Sequence, residues 1–310
     1  MLKYLFVILD TSANSFCYYR NPNQKSQLID LQHLKDVIFF AQKENMLINF
    51  LIGKEKLPKE YLDLMDTINH IIISSYESQI NNDEDILVVD YNDENQKLEI
   101  SNHANVIVRV EKKYLSDLAS IFKNLKVNKR LNIVLLDIDT FTDIDFDEYK
   151  TQLREIKDSY INNLNENAHI ELNILSDRLV LSKMNNCDAG AMHITFAPNG
   201  KFYICPAFYF ENESDSIGDL ISSIDIRNRQ LYTLEYAPIC RKCDAFQCKR
   251  CIYLNRKTTL EVNIPSHEQC VVSHIERNCS ADLFDKVQFL LPDLGVKEII
   301  EIDYLDPFEN

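Results

Sequence analysis

Seven of the nine cysteines in this chain fall into one ordered array, and thiolates in such an array are soft metal ligands. The array runs Cys187, twelve residues, Gly200, four residues, Cys205. After 34 more residues come Cys240-Arg241-Lys242-Cys243 and Cys248-Lys249-Arg250-Cys251, and then Cys270. Two CxxC pairs four residues apart, flanked by single cysteines, are the spacing of zinc or iron–sulfur ligation. Seven thiolates exceed one tetrahedral site and fall one short of two, so an eighth donor or an open position is implied. Buried free cysteines and a disulfide framework are the alternatives.

The elements that must position these thiols alternate strand and helix upstream of them. Short apolar runs at 3–9, 47–52, 70–73, 86–89, 106–110, 131–136 and 170–174 predict strands buried in a parallel sheet. Helical spacing follows Asp30, a good N-cap, and continues through Leu31, Leu34, Val37, Ile38 and Ala41. Further helices are predicted at 59–68, 112–125 and 147–164. Alternation of this kind is the pattern of an α/β fold with a mostly parallel sheet, open or curved into a partial barrel.

The pattern changes near residue 180. Residues 192–197 and 201–204 flank Pro198-Asn199-Gly200, a hairpin signature in which Asn-Gly supplies positive φ. Such a hairpin is expected to bring Cys187 and Cys205 together. Arg241, Lys242, Lys249 and Arg250 make the cysteine loop basic, either to offset thiolate charge or as an ordinary solvated loop. A short helix and an apolar strand at 298–302 are expected in the last thirty residues.

Composition bounds the partners. A formal charge of −15 argues against nucleic acid or an anionic membrane. No apolar run reaches bilayer length, and Met1-Leu2-Lys3-Tyr4 leads into an apolar run without a small-residue cleavage site. The expectation is a cytoplasmic protein, where clustered cysteines ligate metals rather than pair.

The cysteine order and the step Ile217-Gly218-Asp219-Leu220 resemble the SPASM domain, the C-terminal module of many radical SAM enzymes that modify ribosomal peptides. The family pattern is one residue longer in two intervals. The resemblance implies two auxiliary [4Fe–4S] clusters, one on Cys187, Cys205 and Cys251 and the other on Cys240, Cys243, Cys248 and Cys270. His193, six residues after Cys187, stands where some members supply a further ligand; its alternative is a hairpin residue away from metal. The implied fold is α/β, a radical-SAM-type partial (β/α) barrel over 1–180 followed by a small cysteine-rich SPASM-like α+β domain over 181–280. Residues 281–310 are then a C-terminal extension.

The first part resembles that barrel with its reactive motif altered. Where the family carries CxxxCxφC, this chain has Asp10, Asn14, Phe16 and Cys17, and Gly53-Lys54-Glu55 stands at the glycine-rich step. One thiolate beside an Asp and an Asn is a poor iron–sulfur site, so cleavage of S-adenosylmethionine (SAM) by this chain alone is not expected. The opening residues 4–19 look like the CXXX repeat peptide maturase group, whose members are encoded beside a radical SAM partner and a small precursor. The function implied is maturation of a ribosomal precursor peptide (RiPP), with two clusters and a radical SAM partner enzyme. The alternative is a pseudoenzyme scaffold or peptide-binding module stapled by zinc on the same cysteines. Asp137 and Asp139 could form an acid/base pair or simply cap a strand, and His267, His274 and Cys279, near Cys270, are possible substitute ligands or else surface residues.

Overall fold

The computed structural model describes residues 2–23, 25–92, 103–125, 129–166 and 170–300. The first stretch runs β1 (Tyr4–Ile8), α1 (Leu31–Lys43), β2 (Leu47–Leu51), α2 (Lys59–Met65), β3 (His70–Ser74) and β4 (Ile86–Asp90). Next come β5 (Asn105–Val110), α3 (Leu118–Asn124), β6 (Arg130–Leu135), α4 (Asp143–Asn165), β7 (Glu171–Leu172) and α5 (Asp177–Val180). The chain continues through β8 (His193–Phe196), β9 (Lys201–Tyr203), α6 (Pro206–Glu211) and β10 (Gly218–Asp219). It ends with α7 (Ile252–Thr259), α8 (His267–Ala281) and α9 (Phe284–Leu290). Contacts divide it into two units, one of residues Met1–Val89, Asp188–Tyr236 and Ile252–Leu254, the other of Asp90–Cys187, Ala237–Cys251 and Asn255–Asn310.

In the first unit the strands neighbour one another in the order β10-β9-β8-β1-β2-β3-β4. β1, β2, β3 and β4 pair in parallel. Leu34, Val37, Ile38 and Ala41 of α1 are buried against Leu5, Val7, Ile48 and Phe50 of the sheet, with Asp30 capping the helix through Gln32 and His33 N–H. β8 joins in parallel beside β1, Tyr4 opposite His193, and turns back as antiparallel β9. Gly200 makes that turn at φ +77°, and a Cβ there would lie 2.8 Å from the His33 ring.

The second unit has β5, β6 and β7 in parallel. Phe146, Tyr149, Leu153, Ile156, Tyr160 and Leu164 form the buried stripe of α4 at helical spacing. Helix α8 is fixed by the Tyr149 hydroxyl, which donates to Glu276 Oε1 at 2.7 Å, and by Ser280 Oγ donating to Leu175 O at 2.6 Å.

Local chemistry moved several boundaries. Helix α4 starts at Asp143 rather than 147 because Thr142 and Asp145 form a capping box. The helix expected over 112–125 begins as a 3₁₀ segment, Lys112–Asp117, broken at Tyr114 (φ −105°), whose ring packs edge-on to Tyr91 at 5.3 Å. The strand expected at 170–174 shortens to Glu171–Leu172, since the Ser176 hydroxyl takes the Leu172 N–H and the chain turns into α5. Residues 298–300 form no strand; 301 and 302 lie outside the described residues.

Candidate metal centre

Two CxxC turns lie in one irregular loop of the second unit. Cys240–Lys242 is a single 3₁₀ turn closed by Cys243 N–H donating to Cys240 O at 3.1 Å. Cys248 N–H closes the second turn on Ala245 O at 3.0 Å. Each turn then aims an amide at a sulfur: Ala245 N–H at Cys243 Sγ and Arg250 N–H at Cys248 Sγ, both at 3.4 Å. The latter needs Arg250 in the left-handed region, φ 43°, a conformation costly for a residue with a Cβ. Gln247 ties the loop to α8 by donating to Ser273 O (2.6 Å) and Glu276 Oε2 (3.2 Å). The segment that follows α5 is joined to the cysteine loop by Asn185 N–H donating to Phe246 O and Cys187 N–H to Lys249 O.

The four thiols of Cys240, Cys243, Cys248 and Cys270 feel one another. Burial pushes the Cys240 thiol up to about 12, with Cys248, Cys270 and Cys243 pushing the same way and Arg250 opposing them. Burial raises Cys270 to about 11, again reinforced by Cys248 and Cys243. Cys248 is also raised by burial, against hydrogen bonds from Ser273 and the Arg250 amide. Three thiols raised by burial, with Cys243 beside them, are a donor set that a soft cation resolves, because the cation offsets the repulsion and replaces the protons. Zinc and iron–sulfur centres both fit this chemistry.

The basic residues split. Arg241 and Lys242 are exposed, as a solvated loop would have them. Arg250 is fully buried, its Nε donating to Asn186 Oδ1 at 2.6 Å, and it favours the charged forms of Cys240 and Cys248. Burial lowers Lys249 below its ordinary value.

Of two further residues in this neighbourhood, Asp244 was given no role by the sequence and His274 only that of a possible substitute ligand. Asp244, 4% exposed, sits 3.6 Å from Arg277 Nε. His274 is half-buried rather than at the surface, with Nε2 3.5 Å from Cys243 Sγ, and burial holds it below the usual imidazole range. Its signal was the spacing Cys270-x3-His274, which puts both on one face of α8. His267 is exposed as expected, whereas Cys279 is buried with its Sγ 3.7 Å from Leu153 O. Asp139 is paired with Lys257 at 3.1 Å, and Asp137 accepts from Lys112 N–H at the end of its strand.

Of the remaining array, Cys187 and Cys251 belong to the second unit, while Cys205 and His193 belong to the first. Cys205 is buried at the N-terminus of α6, and the His193 ring meets Phe6 edge-on at 5.0 Å.

At the end of β1 the first unit carries a different site. Asp10 is fully buried, and its carboxylate accepts from Ser12 N–H (2.8 Å), Gln27 N–H (3.2 Å) and Ser26 Oγ (2.6 Å). Asn14 donates to Ser75 Oγ at 2.7 Å. Gly53 lies so close that a Cβ on it would be 2.5 Å from Asp10 Oδ2 and from Ser12 Oγ. Gln79 Nε2 donates to Gly53 O at 3.0 Å, closing the network.

No protein-family model and no curated protein matches the chain. Solved structures do. Histidine-tagged anSMEcpe with bound AdoMet superposes at TM-score 0.63 with 11% identity, over 94% of this chain and 97% of that one. Native anSMEcpe with AdoMet and the Cp18Cys peptide gives TM-score 0.61 at 12% identity, covering 92% of this chain and 98% of that one. The complex with the Kp18Cys peptide gives 0.60 at 11% identity, covering 91% and 98%. anSMEcpe is a SPASM/Twitch radical SAM anaerobic sulfatase maturase. This chain has the fold of a SPASM-containing radical SAM enzyme. The Asp10 network directly follows β1, and the cysteine loop belongs to the second unit. Among the described residues no helix is long and apolar enough to cross a membrane.

Proposed function

We propose that this chain is a SPASM-type peptide maturation protein that holds auxiliary iron–sulfur centres and leaves SAM cleavage to a radical SAM partner enzyme acting on the same ribosomal precursor peptide. The observation that carries this reading is the four-thiol set of Cys240, Cys243, Cys248 and Cys270 in a chain of radical SAM fold. In this reading those four cysteines ligate one [4Fe–4S] cluster, and Cys187, Cys205 and Cys251, with His193 as a candidate further donor, ligate a second. Such a cluster supplies one-electron chemistry and, where a coordination position is open, a site for a substrate thiolate.

The chain's own residues do the rest. The amides of Ala245 and Arg250 donate to two sulfurs, the buried guanidinium of Arg250 offsets thiolate charge, and α8 fixes Cys270. The Asp10 region does not fit a SAM-cleaving cluster. Its one carboxylate is spent on three hydrogen bonds, Asn14 on a fourth, and of the three ligand positions only Cys17 offers sulfur. The segment 1–180 then serves as a binding and docking barrel, 181–280 as the cluster-bearing domain, and 281–310 as an extension of it.

Iron, zinc and acid-labile sulfide analysis of anaerobically purified protein tests this, with the Cys248→Ala variant alongside. About eight irons and eight sulfides per chain are expected, falling by about half in the variant. Zinc without sulfide would replace the redox reading by a zinc-stapled scaffold that binds peptide without electron transfer.

A further inference from the structure

We propose that the four-cysteine centre has a fifth protein donor, His274, which takes the coordination position of Cys243 when that thiolate is removed or displaced. The inference deepens the metal-centre reading above and rests on it.

Three potential donors gather here: Cys243 Sγ, an Asp244 carboxylate oxygen and a His274 ring nitrogen, all within 4.8 Å of one another. The Sγ–Nε2 separation is 3.5 Å. Donors on one tetrahedral ion, a sulfur at about 2.3 Å and an imidazole nitrogen at about 2.1 Å, stand about 3.6 Å apart, so the nitrogen is poised within one donor-to-donor spacing of the Cys243 sulfur it would replace. Helix geometry puts the nitrogen on the same side of α8 as a second thiol of the set. His274 lies four residues after Cys270 on α8, which places both side chains on one helical face, and Cys270 is already within electrostatic reach of Cys243 and Cys248.

Asp244 is the less suited of the two alternatives to sulfur. Its carboxylate is buried 3.6 Å from Arg277 Nε, and Arg277 lies one turn beyond His274 on α8, so its charge is already balanced. An imidazole, by contrast, suits both zinc and iron, and it replaces an anionic ligand by a neutral one. The centre then has a position where Cys243 can leave without the metal being lost. That is the requirement for a centre at which an incoming thiolate exchanges with a protein ligand.

The test uses the full-length chain, freed of metal and titrated with Co²⁺ alone, reading sulfur-to-cobalt charge-transfer absorbance and affinity. Cys243→Ser should keep cobalt bound at this centre with its charge-transfer intensity lowered by about a quarter, one thiolate in four having been lost. Adding His274→Ala to that variant should lower affinity a further ten- to hundredfold, whereas His274→Ala alone should leave affinity unchanged. Equal affinity for Cys243→Ser and the double variant would overturn the proposal. Failure of the underlying reading looks different: Cys248→Ala would then bind cobalt as the unaltered protein does. Cys243→Ala provides the same comparison should the serine hydroxyl itself ligate.

Discussion

Raising the pH of the metal-free protein should leave its cluster thiols protonated far beyond the range in which cysteines ordinarily ionise. Cys240 is pushed to about 12 and Cys270 to about 11 by burial and by the neighbouring thiols. An ordinary cysteine ionises near pH 8.5, so at pH 10 it is almost entirely thiolate. At the same pH only about one Cys240 in a hundred, and about one Cys270 in ten, is ionised. A metal entering at pH 9 must therefore expel a proton from each. Apparent affinity should rise about a hundredfold for each pH unit between 8.5 and 10, equivalent to about 2.7 kcal/mol per unit. With ordinary thiols it would level off in that interval. Two assays read this: the ultraviolet thiolate band of metal-free protein minus that of Cys240→Ala, and chelator competition for zinc across the same pH range. The sign for folding is fixed by the same shift. The native state retains protons that the unfolded chain gives up above about pH 8.5, so metal-free protein should lose stability as pH rises from there towards 11. A difference band with its midpoint near pH 8.5, or an affinity that is flat above pH 9, would refute the clustering of these thiols.

Other consequences can be checked in parallel. Arg250→Gln removes the buried cation that opposes the raised thiols and should lower cobalt affinity ten- to hundredfold; a change smaller than about twofold would remove Arg250 from the centre. Asp10→Ala deletes an acceptor of three hydrogen bonds, two from backbone amides, and should cost about 3–5 kcal/mol in urea unfolding while iron content stays unchanged. A loss below about 1 kcal/mol would mean the network holds nothing together. Glu276, raised by burial to about 7 against donation from Tyr149 and Gln247, keeps its proton in the native state where the unfolded chain has lost it. Stability should thus fall by roughly 3.5 kcal/mol between about pH 4.5 and 7. Glu276→Gln should remove that slope in wild-type-minus-variant comparisons, and a slope that persists would place its origin elsewhere.

Sequence pattern carried the elements that local physics decides and missed those that tertiary burial decides. The apolar runs at 47–52 and 106–110 and the helix after Asp30 were legible because periodicity, capping and strand composition agree there. The turn at Asn199-Gly200 was legible because few other residues enter positive φ cheaply. The parallel pairing of β8 with β1 was not, since residues 4 and 193 meet only through the whole intervening fold. At the centre, cysteine spacing identified the thiols but not their surroundings. Arg241 and Arg250 look equivalent in the sequence, yet one is exposed and the other fully buried. Between substitute ligand and surface residue the sequence could not decide for His274, because only the folded position of α8 against the cysteine loop brings its ring to Cys243.

Introducing cysteines at positions 10 and 14 should not build a cluster at the end of β1. Asp10→Cys with Asn14→Cys, together with the native Cys17, recreates the spacing CxxxCxxC. Yet the space around position 10 is filled. A single carbon added to Gly53 would already stand 2.5 Å from the Asp10 carboxylate and from Ser12 Oγ, and exchanging that carboxylate for a thiol frees the volume of only an atom or two, so a cluster of iron and sulfide needs the surrounding side chains to move. The same loop is held by Ser26 Oγ and the Gln27 amide donating to Asp10, and by Asn14 donating to Ser75. Both substitutions remove those ties, so the variant should unfold at lower urea and carry no more iron than the unaltered chain. About four additional irons with retained stability would show that the loop opens readily. In that event the change from cysteine to Asp10 would be a loss of ligands alone. If the iron count does not rise, the carboxylate network has replaced the cluster as the structural element of the loop, and Gly53 is there to admit the Asp10 carboxylate rather than a ligand.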